Sequence, residues 1–236
     1  NHETAELIKY ATNAFLATKI SFINEIALLC KELNADVNTI STSLGLDGRI
    51  SPKFLHPGPG FGGSCFPKDV SGLFSLMKDN NINGNLISSV LKTNNEQKYK
   101  VYNIFSNLFN NDLKGKKISV LGLAFKPNTD DIRESASIVI IEQLVIAGAN
   151  VYGYDPEAYE NMKKIFPKAH FSNNLDDVII DSDGAILLTE WNTLRSLNPV
   201  KIKHMMKNKI FMDCRNIYNP QDWIDEGFIF QNIGRV

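Results

Sequence analysis

Four short apolar runs in the second half of the chain constrain the fold more than any other feature. They are separated by stretches of helical periodicity such as "SASIVIIEQLVIAG" and "EAYENMKKIF". The four runs are "ISVLGLAF" from residue 118, "NVYGYD" from 150, "GAILLT" from 184 and "KIFMDC" from 209. Runs of this kind are typical of strands buried on both faces of a parallel sheet. Their alternation with helices predicts a doubly wound α/β domain.

The first half of the chain carries a helical pattern instead. Between residues 3 and 33 there is neither Gly nor Pro, and apolar residues recur at three- to four-residue steps, which predicts one long helix. Asp36 is the predicted cap of a second helix, Pro67 lies in the first turn of a third, and a fourth covers about 86–109.

The composition becomes polar at "NNDLKGKK", which begins at residue 110. We therefore predict an α/β protein with two domains. An all-helical domain, residues 1–110, contains the long helix, and a Rossmann-like parallel-sheet domain follows at residues 111–236.

Charge and residue usage exclude several classes of protein. The 236 residues are 43% hydrophobic with a formal net charge of -1, which favours neither nucleic acid nor an anionic membrane as partner. We find no signal peptide and expect no apolar run long enough to cross a bilayer, so a cytoplasmic protein is expected. The three cysteines form no CxxC pair and the four histidines no HxxxH pair, so we expect free thiols and no metal site.

The loop "GPGFGGSCFPKD", from residue 58, is the first candidate site. Its glycines suit positive φ angles or close approach of another group. Cys65 precedes the predicted helix start, where free N–H groups and the helix dipole favour a thiolate, and Lys68 adds positive charge. Asp69 comes four residues later as an acceptor or base. The alternative is that Cys65 is a small buried hydrophobe in a tight turn.

Two polar residues of the long helix form a second candidate. Lys9 and Asn13 are spaced i, i+4, so an ammonium and an amide share one helix face and can hold an oxygen or a water. The alternative is a solvated lysine beside a polar edge of the apolar stripe.

A third candidate follows the first apolar run of the second half, in "GLAFKPNTDDIRES". Ligands of open α/β sheets bind at the carboxyl ends of strands. Gly122 and Ala124 permit close approach to the backbone, and Lys126 and Arg133 are cations suited to a diphosphate. The glycines do not match GxGxxG, so an anion or nucleotide site is expected rather than a standard dinucleotide site.

Two further residues end apolar runs. Asp155 is either a ribose-binding acid or, since it precedes Pro156, a cap for the next helix. Arg215 has either a phosphate-binding role or an ordinary ion-pair role at the surface.

Four separated blocks closely resemble the UDP-glucose 6-dehydrogenase branch of the nucleotide-sugar dehydrogenase family, in its bacterial form. The blocks are "ELIKYATNAFLATKISFINE", "GRISPKFLHPGPGFGGSCFPKD", "GLAFKPNTDDIRES" and "LTEWNTL". The resemblance implies UDP-glucose as substrate, NAD as cofactor, and a homodimer formed through the long first helix. It also implies that the family's N-terminal NAD domain is absent from this chain, which by itself is then expected not to turn over NAD.

The resemblance also implies roles for individual residues. Cys65 resembles the family nucleophile, which passes from a thiohemiacetal to a thioester, and Lys9, Asn13 and Asp69 resemble the groups around C6 and its water. Arg133 resembles a residue that faces NAD. The residues that resemble contacts to the UDP-sugar are Arg49, Phe54, Phe61, Gly62, Lys126 and Arg215.

Two alternatives remain open at this point. The same scaffold oxidises another nucleotide sugar, such as GDP-mannose or a UDP-N-acetylhexosamine, or the chain is a non-catalytic module that binds UDP and dimerises.

Overall fold

The computed structural model describes residues 1–235. Contacts divide the chain into two compact units. Unit 1 contains Asn1–Gln97 together with the chain end from Ile233, and unit 2 contains Lys98–Asn232. The predicted domain boundary at residue 110 stays a prediction, since compactness does not show which segment folds independently.

Unit 1 is helical, as the sequence pattern predicts. Its helices are α1 (His2–Leu33), α2 (Val37–Leu46), α3 (Phe66–Asp79) and the first part of α4 (Asn85–Asn107). Asp36 caps α2 by accepting a hydrogen bond from the N–H of Thr39 at 2.8 Å, and Pro67 lies in the first turn of α3. Both predicted helix starts are therefore confirmed.

The core of unit 1 is built where α1, α3 and α4 face one another. Ala14 and Ala17 of α1 pack with Val70 and Leu73 of α3, and Phe61 of the connecting loop joins them. The small side chains of the two alanines allow α3 to approach α1 closely. The side chain of Phe61 fills space inside the same core.

Helix α1 corrects one sequence expectation. It is long and apolar enough to span a bilayer by length and composition, so the statement that no apolar run reaches that length is wrong. A core helix of a water-soluble protein meets the same criterion. One face of α1 is buried in unit 1, including Ile23, Ala27 and Cys30.

Unit 2 is a six-stranded, all-parallel sheet with helices between the strands. The strand order is β3-β2-β1-β4-β5-β6, the doubly wound arrangement. The strands are β1 (Lys117–Leu121), β2 (Asn150–Tyr154), β3 (His170–Ser172), β4 (Gly184–Leu187), β5 (Ile210–Asp213) and β6 (Ile229–Asn232). The helices are α5 (Ala136–Ile146), α6 (Tyr159–Ile165), α7 (Leu175–Ile179), α8 (Asn192–Arg195), α9 (Pro199–Met205) and α10 (Pro220–Asp225). The predicted fold class is thus confirmed.

The four predicted apolar runs are the four central strands, and the two strands outside the prediction are the sheet edges. Strand β1 lies between β2 and β4, and its last four residues are fully buried. Edge strand β6 has an exposed Ile229 and mixed burial. An edge strand is covered on fewer sides, so its sequence lacks a continuous apolar run.

Candidate active site

Cys65 stands at the start of α3 with its side chain exposed. It is the N-cap residue, and Ser64 Oγ lies 3.8 Å from its Sγ. Cys30 and Cys214 are buried, and all three are free thiols, as predicted. The interpretation of Cys65 as a buried hydrophobe is wrong, because its thiol faces solvent at a helix N-terminus.

One helical turn further, Asp69 is brought together with the two predicted residues of α1. The N–H of Asp69 donates to the carbonyl of Cys65 at 2.8 Å, so the two residues are successive on one helix face. Asp69 Oδ2 accepts a hydrogen bond from Asn13 Nδ2 at 2.6 Å and lies 3.5 Å from Lys9 Nζ. The Asp69 side chain is only 3% exposed, whereas that of Lys9 is 66% exposed. A buried carboxylate, an amide and a solvent-facing ammonium therefore adjoin the turn that carries an exposed thiol.

Buried amide side chains fix the shape of the loop before Cys65. Asn24 Oδ1 accepts from the N–H of Gly58 at 2.8 Å, and Gln97 Nε2 donates to the carbonyl of Gly58 at 2.9 Å. Asn94 bonds both the N–H of Phe61, at 2.7 Å, and its carbonyl, at 3.0 Å. These residues lie outside the sequence predictions. The signal that points to them is a polar amide within an otherwise buried helix face, because such a group needs partners.

At least two of the loop glycines are required by the backbone itself. Gly60 and Gly63 have φ angles of 107° and 84°. A Cβ on Gly60 would lie 2.9 Å from Asn94 Oδ1, where the loop and α4 meet. The glycines thus permit close packing within unit 1, and the close approach of a further group to this loop stays a prediction.

The predicted substrate contacts of unit 1 differ in exposure. Arg49 has a side chain 90% exposed, and its guanidinium forms hydrogen bonds with both carboxylate oxygens of Asp47. Those bonds hold the pKa of the Asp47 carboxyl below its usual range. Phe54 is exposed and has a φ of 65°, whereas Phe61 is buried and Gly62 is half-buried.

In unit 2 the ribose-acid interpretation of Asp155 is not supported, since its carboxylate is fully buried and engaged. Its Oδ2 accepts from the N–H of Leu123 at 2.7 Å, the N–H of Ala124 at 3.0 Å and the indole of Trp191 at 3.0 Å. Its Oδ1 accepts from the N–H groups of Glu157 and Ala158 at 3.0 and 2.9 Å. Asp155 caps the turn before α6 and ties it to the end of β1, so the capping interpretation is the better one.

The turn after β1 is closed by the protein itself. Gly122 has a φ of 87°, and a Cβ there would lie 2.5 Å from Thr189 Cβ. The N–H groups of Leu123 and Ala124 are used by Asp155. The close approach that Gly122 and Ala124 permit is therefore made by neighbouring protein atoms.

The predicted cations of unit 2 are all near protein partners. Lys126 is exposed, with its Nζ 5.4 Å from the centre of its neighbour's ring, Phe125. Arg133 is exposed and bonds Asp131, and this bond is the main cause that lowers the pKa of Asp131. Arg215 lies 3.0 Å from a carboxylate oxygen of Glu190.

A cavity of about 400 Å³ lies beside the segment between β1 and α5. It is lined by Asn128, Thr129, Asp130, Glu157 and Trp191. Its two carboxylates make it unsuitable for a diphosphate.

The described residues, 1–235, form neither a cluster of metal ligands nor a standard dinucleotide site at the end of β1. Among residues 1–235, no group of three or more His, Cys, Asp or Glu side chains is placed to hold a metal ion. The end of β1 does not fit a dinucleotide in the Rossmann manner, because Asp155 bonds the backbone there and leaves no carboxylate for a ribose.

Comparison with known proteins agrees with this arrangement. Residues 3–96 match the profile of the UDP-glucose/GDP-mannose dehydrogenase family, central domain, and residues 119–220 match that of the family's UDP binding domain. The chain belongs to the UDP-glucose/GDP-mannose dehydrogenase family. Unit 1 carries its central domain and unit 2 its UDP binding domain.

Individual relatives of this family span more than the present chain. The UDP-glucose 6-dehydrogenase of Rhizobium meliloti (strain 1021) is 44% identical over 232 residues, which are 98% of this chain and 53% of the relative. A UDP-glucose 6-dehydrogenase of Bacillus subtilis (strain 168) is 41% identical over 236 residues, 51% of its length. The chain thus spans about half the length of the curated relatives it matches.

A solved structure shows the same fold. The UDP-glucose dehydrogenase of the hyperthermophilic archaeon Pyrobaculum islandicum matches with a TM-score of 0.88 and 32% identity, over 99% of this chain and 51% of that one. The UDP-D-ManNAc dehydrogenase of Pyrococcus horikoshii matches with a TM-score of 0.82 and 29% identity, over 98% and 52%. Relatives that act on different sugars therefore share this fold.

Proposed function

We propose that this chain is the substrate half of a UDP-glucose 6-dehydrogenase, an NAD-dependent enzyme that oxidises UDP-glucose to UDP-glucuronate. The observation that carries the proposal is the exposed Cys65 at the start of α3, one turn before a buried Asp69 that Asn13 and Lys9 contact. The names of the relatives support UDP-glucose over other nucleotide sugars.

The covalent chemistry belongs to Cys65. After the C6 alcohol has lost a proton and a hydride, the thiolate adds to the aldehyde carbon and the oxygen is protonated, giving a thiohemiacetal. Loss of the hydroxyl proton and of a second hydride gives a thioester. Water then adds to the acyl carbon and the C–S bond breaks, which releases the carboxylate, a proton and the thiol. A covalent intermediate retains the reactive aldehyde between the two oxidations. NAD is the hydride acceptor that the resemblance implies.

The neighbouring groups suit the charges that develop. The ammonium of Lys9 favours an oxyanion on C6, since opposite charges attract. Asp69 is the carboxylate that takes a proton from the attacking water in this proposal. The amide of Asn13 holds Asp69 in position through their 2.6 Å hydrogen bond.

Alkylation of the folded chain tests the site directly. Iodoacetamide is expected to modify Cys65 first, because Cys30 and Cys214 are buried and serve as internal controls. UDP-glucose is expected to slow modification of Cys65 by about tenfold or more at saturation. UDP and GDP-mannose are tested at the same concentration as comparison ligands. Protection of Cys65 by GDP-mannose equal to that by UDP-glucose would favour the alternative that the substrate is another nucleotide sugar.

Catalysis itself is tested in a complete dehydrogenase that includes this chain. Cys65→Ser is expected to lower NADH formation by about a thousandfold or more, because an unactivated hydroxyl is a poor nucleophile near neutral pH. Binding of UDP-glucose is expected to persist. Turnover close to that of the unaltered enzyme would contradict the nucleophilic role of Cys65 and leave a module that only binds.

A homodimer through α1 is part of the proposal. Exposed apolar side chains recur every seven residues along this helix and so form one stripe: Ile8, Phe15, Phe22 and Leu29. Seven residues are close to two helical turns, and such an aligned stripe favours a second copy of the helix. Phe15→Glu is expected to give a monomer in sedimentation experiments. Leu46→Glu, at an exposed apolar residue of α2, is the matched control, and a dimer that survives Phe15→Glu would contradict the proposal.

A further inference from the structure

The ammonium of Lys19 donates three hydrogen bonds to backbone carbonyls of one short loop. From α1 its Nζ donates to the carbonyl oxygens of Ile50 at 2.9 Å, Ser51 at 3.0 Å and Lys53 at 2.5 Å. A lysine ammonium has three N–H donors and no acceptor. Three acceptors from one short loop therefore match the ammonium completely.

The loop that Lys19 holds has an unfavourable backbone. Ser51 and Phe54 have φ angles of 68° and 65°, in the left-handed region that residues with a side chain seldom occupy. Such conformations cost free energy and persist where surrounding contacts determine them. Within the loop, the N–H groups of Ile50 and Ser51 donate to the carbonyl of Asp47. The bonds from Lys19 add an anchor on a helix that is distant in sequence.

The held segment lies between two residues that the proposed function assigns to substrate. Arg49 immediately precedes Ile50, and Phe54 immediately follows Lys53. Both side chains are exposed, and Arg49 is further oriented by its bonds to Asp47. Because Arg49 and Phe54 are the immediate chain neighbours of residues 50–53, the path of that backbone constrains the two Cα positions from which these side chains project.

We propose that Lys19 is a positioning residue for the substrate site. Its ammonium fixes the backbone of residues 50–53 and thereby the direction in which Arg49 and Phe54 project. This inference rests on the proposed function in taking these two residues as UDP-sugar contacts, whereas the holding of the loop does not depend on it.

Three variants separate positioning from simple stabilisation. Lys19→Met keeps the length of the side chain and removes every donor, and Lys19→Arg retains a cation with several donors. Lys31→Met removes an exposed lysine in the last turn of the same helix and is the matched control. All three are compared with the unaltered chain for thermal unfolding by circular dichroism.

The first measurement needs no ligand. Trypsin cleavage after Arg49 and Lys53, followed by mass spectrometry under native conditions, is expected to be about tenfold faster in Lys19→Met, because cleavage follows local opening. Lys19→Arg and Lys31→Met are expected to match the unaltered chain. Unchanged cleavage at the loop would overturn the inference. Equal acceleration at lysines of α4 would mean general loosening and would overturn it as well.

The second measurement links the loop to the site. Lys19→Met is expected to weaken UDP-glucose binding by about tenfold in calorimetry, and by less than about twofold when Arg49→Ala and Phe54→Ala are both already present, since residues acting through one another are not additive. Additive losses, or full affinity in Lys19→Met, would overturn the role in substrate binding. Absence of UDP-glucose binding to the unaltered chain would instead overturn the proposed function, and the cleavage data would still decide whether Lys19 holds the loop.

Discussion

Asp69 of unit 1 and Asp155 of unit 2 are both almost completely buried, yet they are held in different ways. Asp155 accepts four backbone N–H groups and one indole, so its carboxylate is part of the framework that joins β1 to the turn before α6. Asp69 is contacted by the side chains of Asn13 and Lys9 on another helix. Side chains can rotate and exchange partners, whereas backbone donors cannot move without the fold. The difference separates a carboxylate suited to chemistry from one that maintains structure.

Asp213 resembles Asp155 because backbone N–H groups hold its carboxylate. It ends β5, is fully buried, and accepts from the N–H groups of Arg215, Ile217 and Tyr218 at 2.8 to 3.0 Å. Burial raises the pKa of Asp213, and these hydrogen bonds oppose the rise without cancelling it. Asp155, after β2, and Asp213, at the end of β5, thus accept hydrogen bonds from backbone N–H groups that the sheet leaves unpaired.

The largest effect is expected at Asp155. Asp155→Ala leaves several buried donors without an acceptor and is expected to lower the free energy of unfolding by about 3–5 kcal/mol. Urea unfolding followed by tryptophan fluorescence measures this, because both tryptophans, Trp191 and Trp223, lie in unit 2. Asp112→Ala, at an exposed aspartate, is the control. A loss below about 1 kcal/mol would break the comparison, since Asp155 would then not be structural.

A smaller, pH-dependent effect is expected at Asp213. Because the folded pKa lies above the ordinary value of 3.8, the unfolded chain releases this proton first. The contribution of Asp213 to stability therefore falls as pH rises from 3.8 through the folded pKa, and is constant above it. Asp213→Asn is expected to cost about 2 kcal/mol near pH 4 and less at pH 7. The same fluorescence measurement, made at both pH values, tests this, and a cost that grows with pH would contradict it.

The smallest effect on stability is expected at Asp69. In Asp69→Asn the amide of Asn13 can turn its oxygen toward the new amide, so the hydrogen bond is remade and the cost is about 1 kcal/mol or less. Thermal unfolding by circular dichroism checks this. In a complete dehydrogenase the same change is expected to reduce turnover by about a hundredfold. A large loss of stability with normal turnover would place Asp69 with the structural aspartates.

Local patterns in the sequence predicted much of the fold. The apolar periodicity of residues 3–33, the cap at Asp36 and Pro67 in the first turn of α3 each act within a few residues, and each is where the sequence places it. The four central strands are visible for a similar reason, since burial on both faces demands an uninterrupted apolar run.

The sequence by itself determined the two kinds of architecture and, at Cys65, the position of a thiol at a helix start. Only the tertiary structure decided which groups meet. Asn13 and Asp69 are 56 residues apart and Asp155 and Leu123 are 32 apart, so no local pattern shows that one aspartate faces side chains and the other faces backbone. The hydrogen bonds from Lys19 to the backbone of residues 50–53 also join segments that are distant in the sequence. The physical reason is that a buried or strained polar group takes its partner from whatever the packing of distant segments brings within hydrogen-bond distance.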